Sequence, residues 1–318
     1  MGKPEPKPRV IVIAGPTASG KSGLALELAA RFGGTIINAD SMQIYRDLRI
    51  LTARPDPAAA ETRVPHRLYG FLDAAERGSA ARWRVLALSA IEDAIAAGRV
   101  PFIVGGTGLY LRALLQGLAA VPDIPAMLRE EAAALYRELG GEAFRDRLAE
   151  LDPEVPARLP AGDRQRLMRA WEVVRATGRP LAEWQRATAK DAPYRFGTIL
   201  LIPSREALYA ACDARFAAMV AMGALGEAAA LAARKLPPDL PAMKAVGVPE
   251  LIAHLRGEWS LPEAVAIAQR ATRRYAKRQL TWFRHQMTAD LVIAEPISGE
   301  ILHRCSDFIE AFLLTGPA

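Results

Sequence analysis

Hydrophobic and polar positions along the chain fall into two alternating patterns. Four short runs are mostly apolar, as strands buried on both faces of a sheet are, and they are residues 10–14, 35–39, 100–104 and 198–203. Between the second and third runs, residues 79–97 carry apolar positions at the helical period. This alternation of strands and helices predicts an α/β fold built on a parallel sheet.

Strand patterns are missing from residues 121–195, where helical stretches separated by proline and glycine follow one another. We predict helices there at residues 127–138, 142–151, 163–177 and 181–189. Because the apolar run 198–203 resumes the sheet pattern, this region is predicted to be a helical insertion into one core. The predicted divisions are a mobile tail rich in proline and lysine at 1–9, core at 10–120, the insertion at 121–195 and the rest of the core at 196–318.

The second part of the core is predicted to be mostly helical after its strand. Its helices are expected at residues 205–222, 224–233, 248–254 and 262–287, with a loop at 243–247. The last segment, 291–314, has the pattern of a short strand and a closing helix. These elements would complete the α/β core around the insertion.

Composition narrows the class of protein. The 318 residues are 51% hydrophobic and 24% charged, which is enough to bury a large core and to form two domains. No uncharged apolar run approaches the roughly 18 residues of a membrane span, and the first residues lack the apolar core of a signal peptide. We therefore expect no membrane association and a cytoplasmic location. The two cysteines and four histidines show no disulfide or zinc-ligand spacing, and the net charge of +6 is compatible with a polyanionic partner.

A glycine-rich loop joins the first apolar run to a helix-forming stretch at residues 23–31. It has the spacing G-x-x-x-x-G-K-[ST] and consists of Gly15, Pro16, Thr17, Ala18, Ser19, Gly20, Lys21 and Ser22. In such a loop successive backbone N–H groups point at phosphate oxygens, and the following helix adds its positive N-terminal end. Lys21 supplies a cation for the terminal phosphate, and the Ser22 hydroxyl is placed to hold Mg²⁺. The loop predicts a Mg²⁺-dependent diphosphate or triphosphate site, as in ATP-binding and other nucleotide-binding proteins.

Two polar residues follow the other predicted strands at the edge where the phosphate loop lies. Asp40 comes directly after the run 35–39, and its carboxylate has two interpretations: a helix cap or indirect Mg²⁺ partner, or a general base. Thr107 lies among three glycines after the run 100–104, where the alternatives are a ligand contact and a simple strand-to-helix turn. The end of that strand carries no acid of the kind that phosphoryl-transfer enzymes often use for Mg²⁺, which counts against a plain kinase or ATPase.

Two helical segments concentrate positive charge. The first opens with three arginines and a glutamine at residues 163–169, where an ordinary solvated helix face is the alternative. The second is the helix at 262–287, whose single acid is Glu263 and whose six basic residues are Arg270, Arg273, Arg274, Lys277, Arg278 and Arg284. Their spacing puts most of them on one side of the helix, and no acid within four positions offsets their repulsion at 273–278. A phosphate backbone would offset it.

Six segments taken together closely resemble the bacterial tRNA dimethylallyltransferases. They are residues 15–22, 40–46, 65–68, 104–110, 165–172 and 276–284, and the match runs in family order from about residue 10 to residue 285. The resemblance implies a P-loop NTPase-like parallel sheet core with a helical insertion that grips the tRNA anticodon stem-loop. It also implies transfer of a dimethylallyl group from dimethylallyl diphosphate to N6 of the adenosine 3′ of the anticodon, with release of diphosphate.

The same resemblance implies roles for individual residues. Asp40 would be the general base that accepts a proton from the adenine amine, and Thr107 would position the amine or the diphosphate. The loop 15–22 and Arg215 would hold the diphosphate. The positions that match the family's tRNA-contacting segments are Asp40, Ser41, Met42, Gln43, Thr107, Arg129, Gln165, Arg166, Leu167, Met168, Arg169, Val246, Gly247, Lys277, Arg278, Gln279, Trp282 and Arg284.

The chain departs from the family pattern at three places. Ala211 stands where the family usually has an arginine, four residues before Arg215, so diphosphate binding is expected to depend more on Arg215 and Lys21. The usual G-T-A-K-P is L-T-A-R-P at 51–55, and the usual G-Y-R-Q is G-V-P-E at 247–250. These changes affect the expected details of tRNA contact more than the expected reaction.

Two rival functions share the phosphate loop. An ATP-dependent small-molecule kinase would explain the loop but neither the helical insertion nor the basic helix at 262–287. A non-catalytic RNA-binding NTPase switch would leave Asp40 without a role. The transferase accounts for all of these features, and we expect it to act as a monomer.

Overall fold

The computed structural model describes residues 7–56, 63–119, 121–186 and 193–315. The chain divides into two compact units, one of Met1–Leu115 with Ala192–Ala318 and the other of Gln116–Asp191. Most of the predicted mobile tail, residues 1–6, lies outside the described residues. The first strand already begins at Arg9, whose guanidinium donates hydrogen bonds to the backbone oxygens of Leu313 and Thr315.

A six-stranded parallel sheet forms the centre of the first unit. Its strands are β1 (Arg9–Ala14), β2 (Gly34–Asn38), β3 (His66–Arg67), β4 (Val100–Gly105), β5 (Arg195–Leu201) and β6 (Leu291–Ile293). Their order across the sheet is β3-β2-β4-β1-β5-β6, and each neighbouring pair is parallel. The four predicted apolar runs form the four central strands, which confirms the predicted α/β class.

Register explains why these runs are apolar at successive positions. Strand β1 lies between β4 and β5, with Ile11 opposite Phe102 and Val12 opposite Thr198. Helices cover both faces of the sheet, so residues that point to either side of β1 are buried. Because the strands are parallel, their carboxyl ends meet at one edge, and the loops after β1, β2 and β4 lie together there.

Helices of the first unit pack on the sheet in two layers with a third cluster beside them. They are α1 (Lys21–Arg31), α2 (Ala80–Ala96), α3 (Gly108–Gln116), α8 (Arg205–Ala221), α9 (Ala224–Ala233), α10 (Val248–Leu255), α11 (Leu261–Gln286) and α12 (Gly299–Leu314), with a 3₁₀ turn at Ala242–Lys244. Leu24 of α1 and Ile309 of α12 are buried against one face of the sheet, and Trp83 of α2 and Phe283 of α11 against the other. Within the described part of the chain, no single helix is long and apolar enough to cross a membrane. Helices α8 and α9 taken together are long and apolar enough, but they are bent by 69° where they meet.

The insertion has a hydrophobic core of its own. Its helices are α4 (Ala126–Ala149), α5 (Val155–Arg158), α6 (Arg164–Thr177) and α7 (Leu181–Arg186). Phe144 and Leu148 of α4 pack with Leu167 and Trp171 of α6. Gly140 breaks the helical path of α4 with a φ of 74°, which accounts for the two separate helices predicted at 127–138 and 142–151.

Three elements were not fully defined by the sequence pattern. Strand β3, His66–Arg67, had no apolar run in the sequence to indicate it, because both of its residues are polar. The glycines at 105–108 do form a strand-to-helix turn, one of the two alternatives for this segment, because β4 ends at Gly105 and α3 begins at Gly108; the ligand contact of Thr107 stays a prediction. The helix predicted at 181–189 is described only at Leu181–Arg186, because 187–189 lie outside the described residues.

Candidate active site

Three strand ends bring the predicted site residues of the core together. Strand β1 leads into the phosphate loop, β2 into Asp40 and β4 into Thr107, and β4 lies between the other two strands. The Thr107 N–H donates to the Ala39 oxygen at 3.2 Å, and the Thr107 hydroxyl oxygen accepts from the Ser41 N–H at 2.9 Å. Thr107 therefore ties the end of β4 to the segment that carries Asp40.

The backbone around Asp40 is held by Asn38, which sequence analysis missed. The Asn38 side chain accepts from the Asp40 N–H at 2.9 Å and donates to the oxygens of Asp40 and Leu68 at 3.0 Å each. The indole N–H of Trp83 donates to the Asn38 oxygen at 2.8 Å. Asp40 Oδ1 accepts from the Met42 N–H at 2.9 Å, and Oδ2 accepts no hydrogen bond from the described residues. One oxygen of a rigidly held carboxylate thus stays available for chemistry.

The phosphate loop has the backbone shape that the motif predicts. Ala18 and Gly20 both have positive φ, at 62° and 84°, and α1 begins with Lys21 immediately afterwards. The N–H groups of the first helical turn have no partner further back in the helix, so they face the space in front of the loop. This geometry suits an anion.

Two cations lie beside the loop, Lys21 buried and Arg215 half-buried. Lys21 is only 8% exposed and donates to the Pro16 oxygen at 3.2 Å. Burial lowers the pKa of Lys21 from 10.5 to about 8, while the negative charge of Asp40 opposes this shift and the positive charge of Arg215 adds to it. Arg215, from α8, donates a hydrogen bond to the Thr17 hydroxyl, and burial lowers its pKa as well. Since Asp40 is the acid that acts on both cations, a bound anion would offset the remaining positive charge.

The amide of Gln279 is also part of this site. Its Oε1 accepts from the Thr17 N–H at 2.9 Å, and its Nε2 donates to the Gly106 oxygen at 2.8 Å. Gln279 is only 7% exposed, although the resemblance assigns it to a tRNA-contacting segment. Its helical phase, in line with the buried residues Thr272 and Ala276, could have identified it as an inward-facing residue.

The basic helix α11 presents a face of one charge. Its exposed basic residues are Arg270, Arg274, Lys277, Arg278 and Arg284. Arg273 does not belong with them, because its guanidinium pairs with both carboxylate oxygens of Asp213 on α8 at 2.5 and 2.6 Å. No acid lies within four positions of residues 273–278 on α11 itself, but another helix supplies one to Arg273.

The other predicted contact residues of the core differ in their exposure and in the hydrogen bonds that they already make. Gln43 uses its side-chain amide to donate to the oxygens of Thr52 and Ala53 at 2.9 and 3.2 Å. Ser41, Met42 and Val246 are half-buried, and Gly247 is buried. Trp282 is half-buried and lies so close to Gly108 that a Cβ there would come within 2.5 Å of its ring.

In the insertion, the predicted contact residues lie in the first half of α6 and in the first turn of α4. Gln165 and Arg166 are exposed near the beginning of α6, where Asp163 caps the helix. Met168 and Arg169 are half-buried, and Arg169 pairs with Glu172 at 3.2 Å. Leu167 is fully buried in the insertion core. Arg129 on α4 is exposed and donates to the Ile124 oxygen at 3.0 Å.

A cavity of about 310 Å³ lies beside Ser22 at the start of α1. It is lined by Ser22, Gly23, Ala25, Leu26, Ile36, Ala53, Pro55, Asp56, His66, Tyr69 and Val104. Most of these side chains are apolar, so the space next to the loop suits a hydrocarbon group.

The segment that forms one wall of this cavity is held in a way that the sequence did not predict. The Glu227 carboxylate of α9 accepts from the N–H groups of residues 49, 50 and 51 at 2.7, 2.8 and 2.9 Å. These bonds hold the turn that leads into residues 51–55, where the sequence L-T-A-R-P differs from the family pattern. A partner that lies 176 residues away along the chain leaves no local pattern to detect.

A parallel sheet whose first strand leads through a G-x-x-x-x-G-K-S loop into a helix defines a phosphate-binding α/β protein of the P-loop class. Comparison with known families is more specific. The family model described as "IPP transferase" matches residues 43–286, and the one described as "Isopentenyl transferase" matches residues 8–77. The chain belongs to the tRNA dimethylallyltransferase family of prenyltransferase enzymes, and the kinase alternative is not favoured.

Curated relatives and solved structures agree with this assignment. A "tRNA dimethylallyltransferase" of Rhodospirillum centenum is 61% identical over 88% of this chain and 90% of its own, and one of Paramagnetospirillum magneticum is 52% identical over 96% and 98%. The tRNA isopentenylpyrophosphate transferase of Bacillus halodurans has a TM-score of 0.69 at 32% identity, covering 96% of this chain and 97% of its own. A eukaryotic dimethylallyltransferase, described as acting on tRNA, has a TM-score of 0.79 at 26% identity, covering 95% and 80%.

Proposed function

We propose that the protein transfers a dimethylallyl group from dimethylallyl diphosphate to N6 of the adenosine 3′ of the anticodon in tRNA, and releases diphosphate. The observation that carries this proposal is the arrangement at one sheet edge. The Asp40 carboxylate has one oxygen available, and its charge acts on Lys21 and Arg215, the two cations beside the phosphate loop. A base and a site for an anionic leaving group are what this reaction requires.

The leaving group needs stabilisation of negative charge. As the bond between C1 of the dimethylallyl group and the diphosphate oxygen breaks, charge develops on that oxygen. Backbone N–H groups of the loop and of the first turn of α1, with Lys21 and Arg215, would bind the diphosphate. Because these groups are already in place, little reorganisation accompanies the reaction.

The nucleophile needs a proton acceptor. The exocyclic amine of adenine is a weak nucleophile because its lone pair is delocalised into the ring, so it must lose a proton as N6 bonds to C1. Oδ2 of Asp40 would accept this proton, and Thr107 would position the amine or the diphosphate while it holds the Asp40 segment. The adenosine must leave its stack to reach these groups.

Magnesium is the cofactor we propose for the diphosphate. The described residues contain no group of three or more histidine, cysteine, aspartate or glutamate side chains that would form a protein cage for a metal ion. Mg²⁺ commonly keeps several waters and takes one or two protein oxygens together with phosphate oxygens. The exposed Ser22 hydroxyl at the start of α1 fits that use and would hold the ion, which would neutralise charge on the diphosphate.

We propose that the RNA partner is the tRNA anticodon stem-loop. The exposed basic face of α11 and the residues Arg129, Gln165 and Arg166 of the insertion would bind its backbone. The half-buried residues after Asp40 would lie close to the splayed adenosine. In the same proposal the insertion 121–195 grips the stem-loop, and the protein works as a cytoplasmic monomer.

Removing charge from α11 is expected to weaken RNA binding in a salt-dependent way. For the double variant Lys277→Gln and Arg278→Gln, the slope of log affinity against log salt should become shallower by about 1.5, because two phosphate contacts are lost. The variant Arg99→Gln, which removes one charge away from α11, is the control and should keep the wild-type slope, because Arg99 is exposed beside the amino end of β4, at the opposite edge of the sheet. Fluorescence anisotropy with a labelled stem-loop measures both slopes. Equal slopes for the double variant and the wild type would remove α11 from the RNA site.

The lowered pKa of Lys21 predicts a pH-dependent affinity for dimethylallyl diphosphate. A bound anion favours the ammonium form, so the pKa of Lys21 rises from about 8 on binding. Below pH 8 Lys21 is charged in both states and the Kd is constant. Above pH 8 binding must take up a proton, and the Kd should rise by up to about tenfold per pH unit. The phosphate itself contributes little there, because its last proton leaves near pH 6.

Titration calorimetry between pH 7 and pH 9.5 tests this expectation. The variant Lys21→Arg keeps its charge throughout this range, so its affinity should be lower but independent of pH. A wild-type Kd that stays constant to pH 9.5 would mean that Lys21 does not contact the diphosphate.

Competition between ligands tests the proposed function against a kinase. With Mg²⁺ present, the protein should bind dimethylallyl diphosphate more tightly than ATP, and the Lys21→Met variant should lose most of that affinity. Tighter binding of ATP, with turnover to ADP, would contradict the proposal.

A further inference from the structure

The side chain of Gln279 joins three parts of the molecule. Gln279 lies on α11, its Oε1 accepts from the Thr17 N–H of the phosphate loop, and its Nε2 donates to the Gly106 oxygen after β4. The approach is close, because a Cβ at Gly106 would lie 2.6 Å from the Gln279 Nε2 and 2.9 Å from the Gly15 oxygen. Only glycine leaves room for the amide at this position.

Bonds to protein groups occupy polar groups of the phosphate loop. The Thr17 N–H is occupied by Gln279 and the Thr17 hydroxyl by Arg215, so Thr17 is fixed by protein groups through both its backbone and its side chain. The remaining N–H groups of the loop take their direction from this fixed point. A Gln279 side chain that moves would therefore alter the cradle for the diphosphate.

The same helix carries the exposed basic face on its other side. Arg274 lies three residues from Lys277 and four from both Arg270 and Arg278, and these spacings place like charges next to each other. Their repulsion opposes the helical arrangement that holds Gln279 in place. Phosphate groups of a bound RNA would relieve it and hold α11 against the loop.

We propose that Gln279 is a positioning residue through which RNA bound on α11 tightens diphosphate binding in the phosphate loop. The inference rests on the proposed function, because it takes the basic face of α11 as an RNA-binding surface. By linkage, bound diphosphate tightens RNA binding by the same factor. The site would thus favour the state in which both substrates are bound.

The experiment measures the Kd of inorganic diphosphate, with Mg²⁺, in the absence and the presence of an unmodified anticodon stem-loop. Inorganic diphosphate carries no dimethylallyl group, so no transfer disturbs the equilibrium. In the wild type the RNA should lower this Kd by about fivefold or more, a typical coupling between sites. In Gln279→Met the effect should fall below about twofold, while the stem-loop still binds through the exposed arginines and lysine.

Gln269→Met is the matched control. Gln269 lies on the same helix and donates one hydrogen bond to the Asp213 oxygen at 3.0 Å, so the same substitution removes a bond between helices without touching the loop. Its coupling should equal that of the wild type. Gln279→Glu is a second variant that retains the size of the side chain and the acceptor for the Thr17 N–H, but loses the donor to Gly106. It should stay folded, as judged by thermal unfolding, and should also lose the coupling.

The outcomes separate the inference from the proposed function. If the wild type binds both ligands but RNA leaves the Kd of diphosphate unchanged, or if both Gln279 variants retain wild-type coupling, the inference is wrong and the proposed function stands. If the wild type binds neither diphosphate nor the stem-loop, the proposed function fails and the inference fails with it.

Discussion

Replacing Asp40 by asparagine is expected to slow dimethylallyl transfer to an anticodon stem-loop by a factor of roughly 10² to 10⁴, the scale of general-base catalysis. Asparagine has the same shape and keeps an oxygen for the Met42 N–H, which Asp40 Oδ1 accepts at 2.9 Å. It cannot take a proton from the adenine amine. Binding of each substrate should change little, so the loss should lie in the single-turnover rate.

The control for this prediction is Asp93→Asn. Asp93 is an exposed carboxylate in the last turn of α2, at the sheet edge opposite the site, and its variant should transfer at the wild-type rate. Single-turnover measurements with saturating protein separate the chemical step from binding. An Asp40→Asn protein as fast as the wild type would show that another group accepts the proton.

The second large effect is expected for Lys21→Met, which should lower transfer by roughly 10² to 10³, as loss of one stabilising group for a developing anion does. The same variant should be more stable than the wild type. Burial lowers the pKa of Lys21 from 10.5 to about 8, so the charged folded form carries an energetic cost of about 3 kcal/mol at pH 7.

The pH dependence of that cost has a definite sign. Below pH 8 Lys21 is protonated in both the folded and the unfolded chain, so the cost is fully present. Between pH 8 and 10.5 the unfolded chain binds more protons, and the wild type gains stability as the pH rises. The stability advantage of Lys21→Met should therefore shrink over this range.

Urea unfolding at pH 7 and pH 10, together with transfer assays, checks both halves of this prediction. Lys235→Met is the control, since Lys235 is exposed after α9 and its replacement should affect neither property. If Lys21→Met were less stable than the wild type at pH 7, the charged Lys21 ammonium would not destabilise the folded protein.

Local patterns were enough to predict the centre of this protein. The strands β1, β2, β4 and β5 are buried on both faces, so each appears in the sequence as a mostly apolar run. The G-x-x-x-x-G-K-S spacing alone identifies the phosphate loop. Once the order of the parallel strands is known, Asp40 and Thr107 are placed at the same edge of the sheet as this loop. The family comparisons confirm the function that the combined motifs indicated.

Long-range pairs were the part that the sequence did not reveal. Gln279 bonds to Thr17 across 262 positions, and Arg273 pairs with Asp213 across 60. The periodicity of α11 tells which residues share a face, but not which element packs there. For that reason a buried, loop-binding glutamine and a paired arginine were both grouped with the residues of an RNA-binding surface.

The central claim is tested most directly by transfer of label from dimethylallyl diphosphate to an anticodon stem-loop with adenosine 3′ of the anticodon. A matched stem-loop with inosine at that position, which lacks the amine, is assayed beside it, and ATP is added to a parallel sample. We predict Mg²⁺-dependent labelling of the adenosine RNA alone, without ATP, and recovery of N6-dimethylallyladenosine from its digest. Turnover of ATP with no label in either RNA would contradict the account and would favour an ATP-dependent kinase instead.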